Sequence, residues 1–271
     1  QEEIEREMKK PNGMIITTGP TGSGKTTTLY TIIRKLYSPE LKIITIEDPI
    51  EYHLAGIEQT QVDAEKGYDF ANGLRSIVRQ DPDVVLVGEV RDLETADTAI
   101  NAALTGHLVL STLHTNNAAG AIPRLISLGI KPNVIAPALN VIMAQRLVRK
   151  LCKECREAVR PNKEESAKIA RILASFPSKI LIPPEKERRY YHAHKGGCMR
   201  CNEVGYKGRI SIFEIILMND EIELLILKTP TESDLKKAAF AQGQITMQHD
   251  GLLKIFAGIT DLAELERVAG E

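Results

Sequence analysis

Residues Gly19 to Thr26 read Gly-Pro-Thr-Gly-Ser-Gly-Lys-Thr, and no other stretch restricts the fold as tightly. The pattern G-x-x-x-x-G-K-[ST] functions only where a strand ends and a helix begins, because the N–H groups of loop and helix must converge on phosphate oxygens. Both flanks meet that demand. Met14-Ile15-Ile16-Thr17-Thr18 precedes the loop as an apolar run, and Thr27 to Ile33 can continue as a helix. Gly19, Gly22 and Gly24 let the backbone turn sharply. The loop is therefore predicted to cradle the phosphates of a nucleotide. Gly19, Pro20, Thr21, Gly22, Ser23, Gly24 and Thr27 line the cradle, Lys25 reaches the β- and γ-phosphates, and the Thr26 hydroxyl binds Mg²⁺.

The flanking pattern predicts an α/β fold with a mainly parallel sheet. After the first helix, which runs to about Leu36, Lys42–Ile46 forms a second buried strand. It ends at Glu47-Asp48-Pro49-Ile50-Glu51, where Pro49 cannot donate to a ladder. Acids just beyond the C-terminal end of a parallel strand lie in the crevice where such sheets bind ligands. Glu47 and Glu51 both suit the orientation of an attacking water, and Asp48 suits a supporting role. Gln59–Val62 reads as a short strand, and Phe70, Leu74 and Ile77/Val78 mark a helix. Val84–Val87 is a further buried strand, with Glu89 at its end to hold the Mg²⁺ shell, followed by Arg91. Leu93–Leu104 reads as a helix and Leu108–Leu113 as a fourth buried strand. His114 follows its C-terminal end, where a polar residue can sense the γ-phosphate; His107 stands at its start. Ala118–Arg149 reads as largely helical, punctuated by Gly129, Pro132 and Pro137.

Composition excludes several alternatives. At 271 residues and 43% hydrophobic, the chain can bury a large core. A net charge of −1 provides no electrostatic case for direct nucleic-acid binding. No apolar run approaches the roughly 18 residues of a membrane span, and no secretory signal pattern is evident. A cytoplasmic setting is the expectation. The chain opens with Gln1 and a charged stretch, Glu2 to Lys10, which reads as a linker helix (1–10) from a longer protein. The expected divisions are then a core at 11–150, a tetracysteine module at 151–212 and a C-terminal helical region at 213–271.

Cys152/Cys155 and Cys198/Cys201 are two C-x₂-C knuckles. In a reducing compartment they read as metal ligands before disulfides. Four thiolates at this spacing suit tetrahedral Zn²⁺ with no open position, hence a structural ion. The 42 residues between Cys155 and Cys198 exceed the usual linker, and Glu164–Leu173 within them reads as a helix that must fold aside. Beyond the second knuckle, Ile210–Leu217 reads as a strand. A helical region follows, with Thr231/Ser233 and Thr260 as caps and Gly258 as a stop.

Taken together, the motifs resemble the secretion ATPase superfamily of type II secretion and type IV pilus systems. They are Gly19–Thr26, Ile46–Tyr52, Leu74–Asp83 with Gly88–Asp92, and Thr105–His107 through His114–Asn116. These look like its Walker A, Asp box, Walker B and His box, with Gly88 where an aspartate often precedes the glutamate. The resemblance implies a RecA-like P-loop ATPase core, ATP hydrolysis with Mg²⁺, and water activation by the Asp box. It also implies nucleotide sensing by the His box, including His107 and His114. The two-knuckle zinc module implies an assembly motor rather than a retraction motor. The family implies a homo-hexamer acting on an inner-membrane platform protein, peripheral to the membrane through its partners. An N-terminal domain absent from this chain would help complete the site. Arg75, Arg79, Arg91 and Arg146 are candidates for subunit interfaces or for surface ion pairs. Two other classes, a RecA-like nucleic-acid translocase and a nucleotide-controlled scaffold, fit the loop alone. The neutral charge speaks against the first, and intact Lys25, Glu47, Glu51 and Glu89 against the second.

Overall fold

A computed structural model describes residues 2–270. In chain order its first elements are α1 (Glu2–Met8), β1 (Gly13–Thr18), α2 (Lys25–Leu36), β2 (Ile43–Glu47) and β3 (Glu58–Gln61). Next come α3 (Phe70–Ile77), β4 (Val84–Val87), α4 (Leu93–Leu104), β5 (Leu108–Leu113), α5 (Ala121–Ser127), α6 (Pro132–Ala138) and β6 (Leu139–Leu151). Then follow β7 (Glu157–Ala158), α7 (Lys163–Ala174), β8 (Tyr191–His192) and β9 (Tyr206–Leu217). The chain closes with α8 (Asp220–Ile226), α9 (Glu232–Gln242), α10 (Met247–Phe256) and α11 (Leu262–Ala269). Two compact units divide the chain. The first holds Gln1–Thr21, Lys25–Ala144 and Ile215–Ala239; the second holds Gly22–Gly24, Gln145–Glu214 and Phe240–Glu271.

The sheet order is β3-β2-β4-β5-β1-β6-β9, of which β3, β2, β4, β5 and β1 lie wholly in the first unit. The pairs β2–β3, β2–β4, β4–β5, β5–β1 and β1–β6 are all parallel. Every residue of β1, β2, β4 and β5 is buried. Successive strand residues point to opposite faces, so burial at every position means that both faces are covered, and near-continuous Val, Ile and Leu runs are the result. Ile15, Ile43, Leu86 and Leu110 share one core with Leu29, Tyr30, Ile32 and Ile33 of α2. Because the strands are parallel, the segments leaving β1, β2, β4 and β5 emerge at one edge, the edge at which α/β sheets bind ligands.

Leu139–Leu151 is a strand and not the helix expected across Ala118–Arg149; only Ala121–Ser127 and Pro132–Ala138 are helical there. The reason is tertiary. Val141, Ile142, Met143 and Ala144 stand beside Ile15, Ile16, Thr17 and Thr18 of β1, and all four are buried. Four consecutive buried apolar residues leave no polar helical face, and the free side of β1 supplies the backbone partners.

In the second unit the 42-residue insertion is folded back by a small ribbon. β7 begins two residues after Cys155 and pairs antiparallel with β8, which ends six residues before Cys198, with Glu157 opposite His192. The knuckles meet at the base of this ribbon. α7 starts with a reciprocal cap between Asn162 and Glu165. The cap of α11 is Asp261, which accepts from the Glu264 N–H at 2.9 Å, and not the expected Thr260. The Thr260 hydroxyl instead donates to the Arg149 carbonyl at 2.9 Å. Glu264 itself is a buried carboxylate, 1% exposed, held by the Arg149 and Arg267 guanidiniums at 2.6–2.9 Å.

Candidate nucleotide site and cysteine centre

The loop after β1 has left-handed backbone at Gly22 (φ 76°) and Gly24 (φ 87°), which a side chain would strain. A Cβ at Gly24 would also lie 2.9 Å from the Gln145 amide nitrogen. The buried Ser23 hydroxyl has no hydrogen-bond partner among the described residues, as expected of a group reserved for a ligand oxygen. Lys25 turns back on the loop and donates to the carbonyls of Gly19 (2.9 Å) and Pro20 (3.1 Å). Burial pulls its pKa down, while the Glu89 charge opposes the shift. An ammonium that is desolvated and faces one carboxylate is suited to receive phosphate. Thr26 is half-buried and Thr27 exposed in the first turn of α2.

Beside β1 in the sheet, the turn after β5 carries His114. It is pinned by the Thr18 hydroxyl, which accepts from the Thr115 N–H at 2.9 Å. His114 Nε2 stands 3.5 Å from a Glu89 oxygen. Glu89 itself is only 12% exposed, and its other oxygen pairs with Arg91. That pairing raises the Arg91 pKa. The turn that carries Glu89 is fixed by the Gly88 N–H donating to the Ile46 carbonyl (2.8 Å) and the Thr112 hydroxyl donating to the Gly88 carbonyl (2.8 Å). Gly88, where the common pattern has an aspartate, lies close against the end of β2. A Cβ there would lie 3.3 Å from the Ile46 carbonyl oxygen and 3.4 Å from Glu47 Cα.

Glu47 and Glu51, equivalent in the sequence, are separated by the structure. Glu47 ends β2 and is 3% exposed. Its carboxylate accepts from the Tyr30 hydroxyl, from Thr45 Oγ1 (2.6 Å) and from Gln59 Nε2 (3.2 Å). Burial, then the bond to Glu47, pushes the Tyr30 phenol pKa up and keeps it a donor. Glu51, four residues on, is exposed. Spacing gave no sign of Tyr30, Gln59, Thr18 or Thr115 as supporting residues, because their partners lie far away in the chain.

His107 is not brought to this edge. It lies at the start of β5, where its carbonyl accepts from the Gly13 N–H (3.2 Å) and its Nδ1 lies 3.0 Å from the Ala102 carbonyl oxygen. Gly13 opens β1 and the phosphate loop follows its other end, so His107 stands at the opposite end of the strands from that loop. Arg75 pairs with Glu94 at 2.5 Å and Arg146 donates to the Val268 carbonyl at 2.7 Å, so both already have partners within the chain.

Cys152, Cys155, Cys198 and Cys201 bring their sulfurs within 4.8 Å of one another. The closest pairs are Cys152–Cys198 at 3.9 Å, and Cys155–Cys201 and Cys198–Cys201 at 3.8 Å each. Ligands about 2.3 Å from a tetrahedral ion stand about 3.8 Å apart, so the four sulfurs already define such a site. The N–H groups of Cys198 (3.1 Å) and Gly205 (3.2 Å) donate to Cys201 Sγ. Burial disfavours the Cys201 thiolate, but these donors outweigh it and bring its pKa down to about 6. The donor set fits a soft, closed, four-coordinate cation.

Against families of known proteins, residues 1–267 match the model described as type II/IV secretion system protein. The chain belongs to this family. Type II secretion system protein E of Pseudomonas aeruginosa is 45% identical over 268 residues, which cover 99% of this chain and 51% of that protein. The type IV pilus assembly ATPase PilB of Myxococcus xanthus is 43% identical over 256 residues, covering 94% and 44%. The solved pilus retraction motor PilT with bound ADP is 29% identical with a TM-score of 0.59, covering 98% of this chain and 67% of that one. This type II/IV secretion system chain spans about half the length of the curated relatives it matches. Among its described residues no helix is long and apolar enough to cross a membrane.

Proposed function

We propose that this chain is the nucleotide-hydrolysing segment of an ATP-driven motor for type II secretion or type IV pilus assembly. One observation supports the reading: β2, β4, β5 and β1 are consecutive in the sheet and parallel, so the segments that leave them emerge at one edge. The loop Gly19–Thr27 and Lys25 hold the phosphates. Thr26 and Glu89 hold Mg²⁺, which neutralises charge developing on the phosphates. Arg91 and His114, both against Glu89, report on the γ-phosphate. Glu51 orients the attacking water, since the Glu47 carboxylate is committed to Tyr30, Thr45 and Gln59.

The four cysteines hold one structural Zn²⁺ and stabilise the module around residues 151–212. The core at 11–150, the helical region at 213–271 and a linker at 1–10 are its other functional divisions. The motor works as a cytoplasmic homo-hexamer, with ATP closing a subunit interface that hydrolysis reopens. It acts on an inner-membrane platform protein and meets the membrane through its partners, without binding nucleic acid. The names of the relatives from Pseudomonas aeruginosa and Myxococcus xanthus support the choice of systems. Lys25→Ala tests the assignment: ATP turnover is expected to vanish, and undiminished hydrolysis would sink the role of the phosphate loop.

A further inference from the structure

A cavity of about 830 Å³ lies in the second unit, and no residue of the proposed nucleotide site lines it. Lys150, Lys153, Arg156, Arg200 and Lys207 line it, against a single acid, Glu154. Leu151, Ile210 and Ile259 supply an apolar wall. The cations come from three separate stretches: the end of β6 with the first knuckle, the second knuckle, and the start of β9. Among the described residues Lys150, Lys153, Arg200 and Lys207 form no ion pair.

The backbone makes room for two of these cations. Gly208 has left-handed backbone (φ 77°), and a Cβ there would meet Lys150 Cε at 3.1 Å. Gly258 (φ 67°) similarly leaves space for Arg156, whose Nη1 would lie 3.1 Å from such a Cβ. Arg156 is further fixed by donating to the Gly258 carbonyl and by lying 4.2 Å over the Tyr191 ring. A zinc tetrathiolate carries two negative charges. Together with Glu154 it offsets only three of the five cations, so an excess of positive charge faces the cavity. Unpaired like charges held together destabilise the compact state, and an anion relieves that repulsion.

We propose that this cavity is a second anion site, which binds a phosphate-rich ligand through Lys150, Lys153, Arg200 and Lys207 with Arg156 as its fixed wall. Its volume suits a small ligand. Clustered guanidinium and ammonium donors against one acid select several phosphate oxygens over a single carboxylate. The inference is independent of the motor reading, since it uses no residue of the nucleotide site.

The test uses the zinc-loaded chain with Lys25→Ala, which removes the phosphate-loop lysine. Inorganic tripolyphosphate is titrated calorimetrically, and flotation is measured with vesicles of phosphatidylglycerol and phosphatidylcholine against phosphatidylcholine alone. Binding is expected, weakened at least tenfold by Lys150→Ala with Lys207→Ala and retained by the two Lys→Arg changes. Zinc content, unchanged in each variant, shows that the module is folded. Loss of tripolyphosphate binding in the alanine variant identifies a soluble phosphate ligand. Loss of binding to the anionic vesicles alone identifies a lipid headgroup. Failure to bind either probe, or binding indifferent to the alanine changes, would overturn the proposal.

Discussion

Glu47→Ala separates architecture from chemistry at the end of β2. The Glu47 carboxylate accepts from the hydroxyls of Tyr30 and Thr45, residues with 0% exposure, and from the Gln59 amide. Removing it leaves two buried hydroxyls without their acceptor, at about 1–3 kcal/mol each, and opens a small cavity. We expect a loss of about 3–5 kcal/mol, and a melting temperature lower by on the order of 10 °C. Glu51 is exposed, so Glu51→Ala is expected to change stability by no more than about 0.5 kcal/mol. Thermal unfolding followed by circular dichroism, with tyrosine absorbance as a second probe, reads both. Tyr30 absorbance should respond to Glu47→Ala and not to Glu51→Ala. Equal melting temperatures for the two variants would refute the assignment of Glu47 as a structural carboxylate.

Two further expectations concern the second unit. Elemental analysis should find about one zinc per chain, and strong chelation should unfold the region around the knuckles, observed as loss of protection in hydrogen exchange. Full reactivity of all four thiols in the zinc-loaded protein would contradict this. Glu264 provides a pH test. Burial would raise its pKa, but Arg267 and Arg149 outweigh that and hold it at about 2, against 4.5 when unshifted. A folded pKa below the unfolded one contributes stability above about pH 4.5 that is lost as pH falls towards 2, amounting to about 3 kcal/mol. The stability difference between the wild type and Glu264→Gln should therefore shrink across that window; a constant difference would argue against the ion pair.

Local chemistry made much of this molecule legible beforehand. The phosphate loop, the four fully buried strands, and the acids beyond two of them follow from motif and apolar runs, because parallel strands buried on both faces leave no alternation to misread. The stop near Gly258 is likewise local. What escaped depends on residues distant in the chain. Leu139–Leu151 carries good helix formers, and only the free side of β1 makes it a strand. Glu47 and Glu51 look equivalent until Tyr30 and Gln59 occupy one of them. His107 shares a motif with His114, yet the two stand at opposite ends of β5. The knuckles, 42 residues apart, meet where β7 and β8 close the insertion.

In the proposed motor, the edge formed by β1, β2, β4 and β5 hydrolyses ATP with Glu51 orienting the water. Single-turnover hydrolysis of Mg-ATP by Glu51→Gln, measured alongside ATP affinity, tests it most directly. Unchanged affinity and hydrolysis slowed by about 100-fold or more are expected. Hydrolysis at the wild-type rate, or a loss of affinity that accounts for the whole defect, would contradict it.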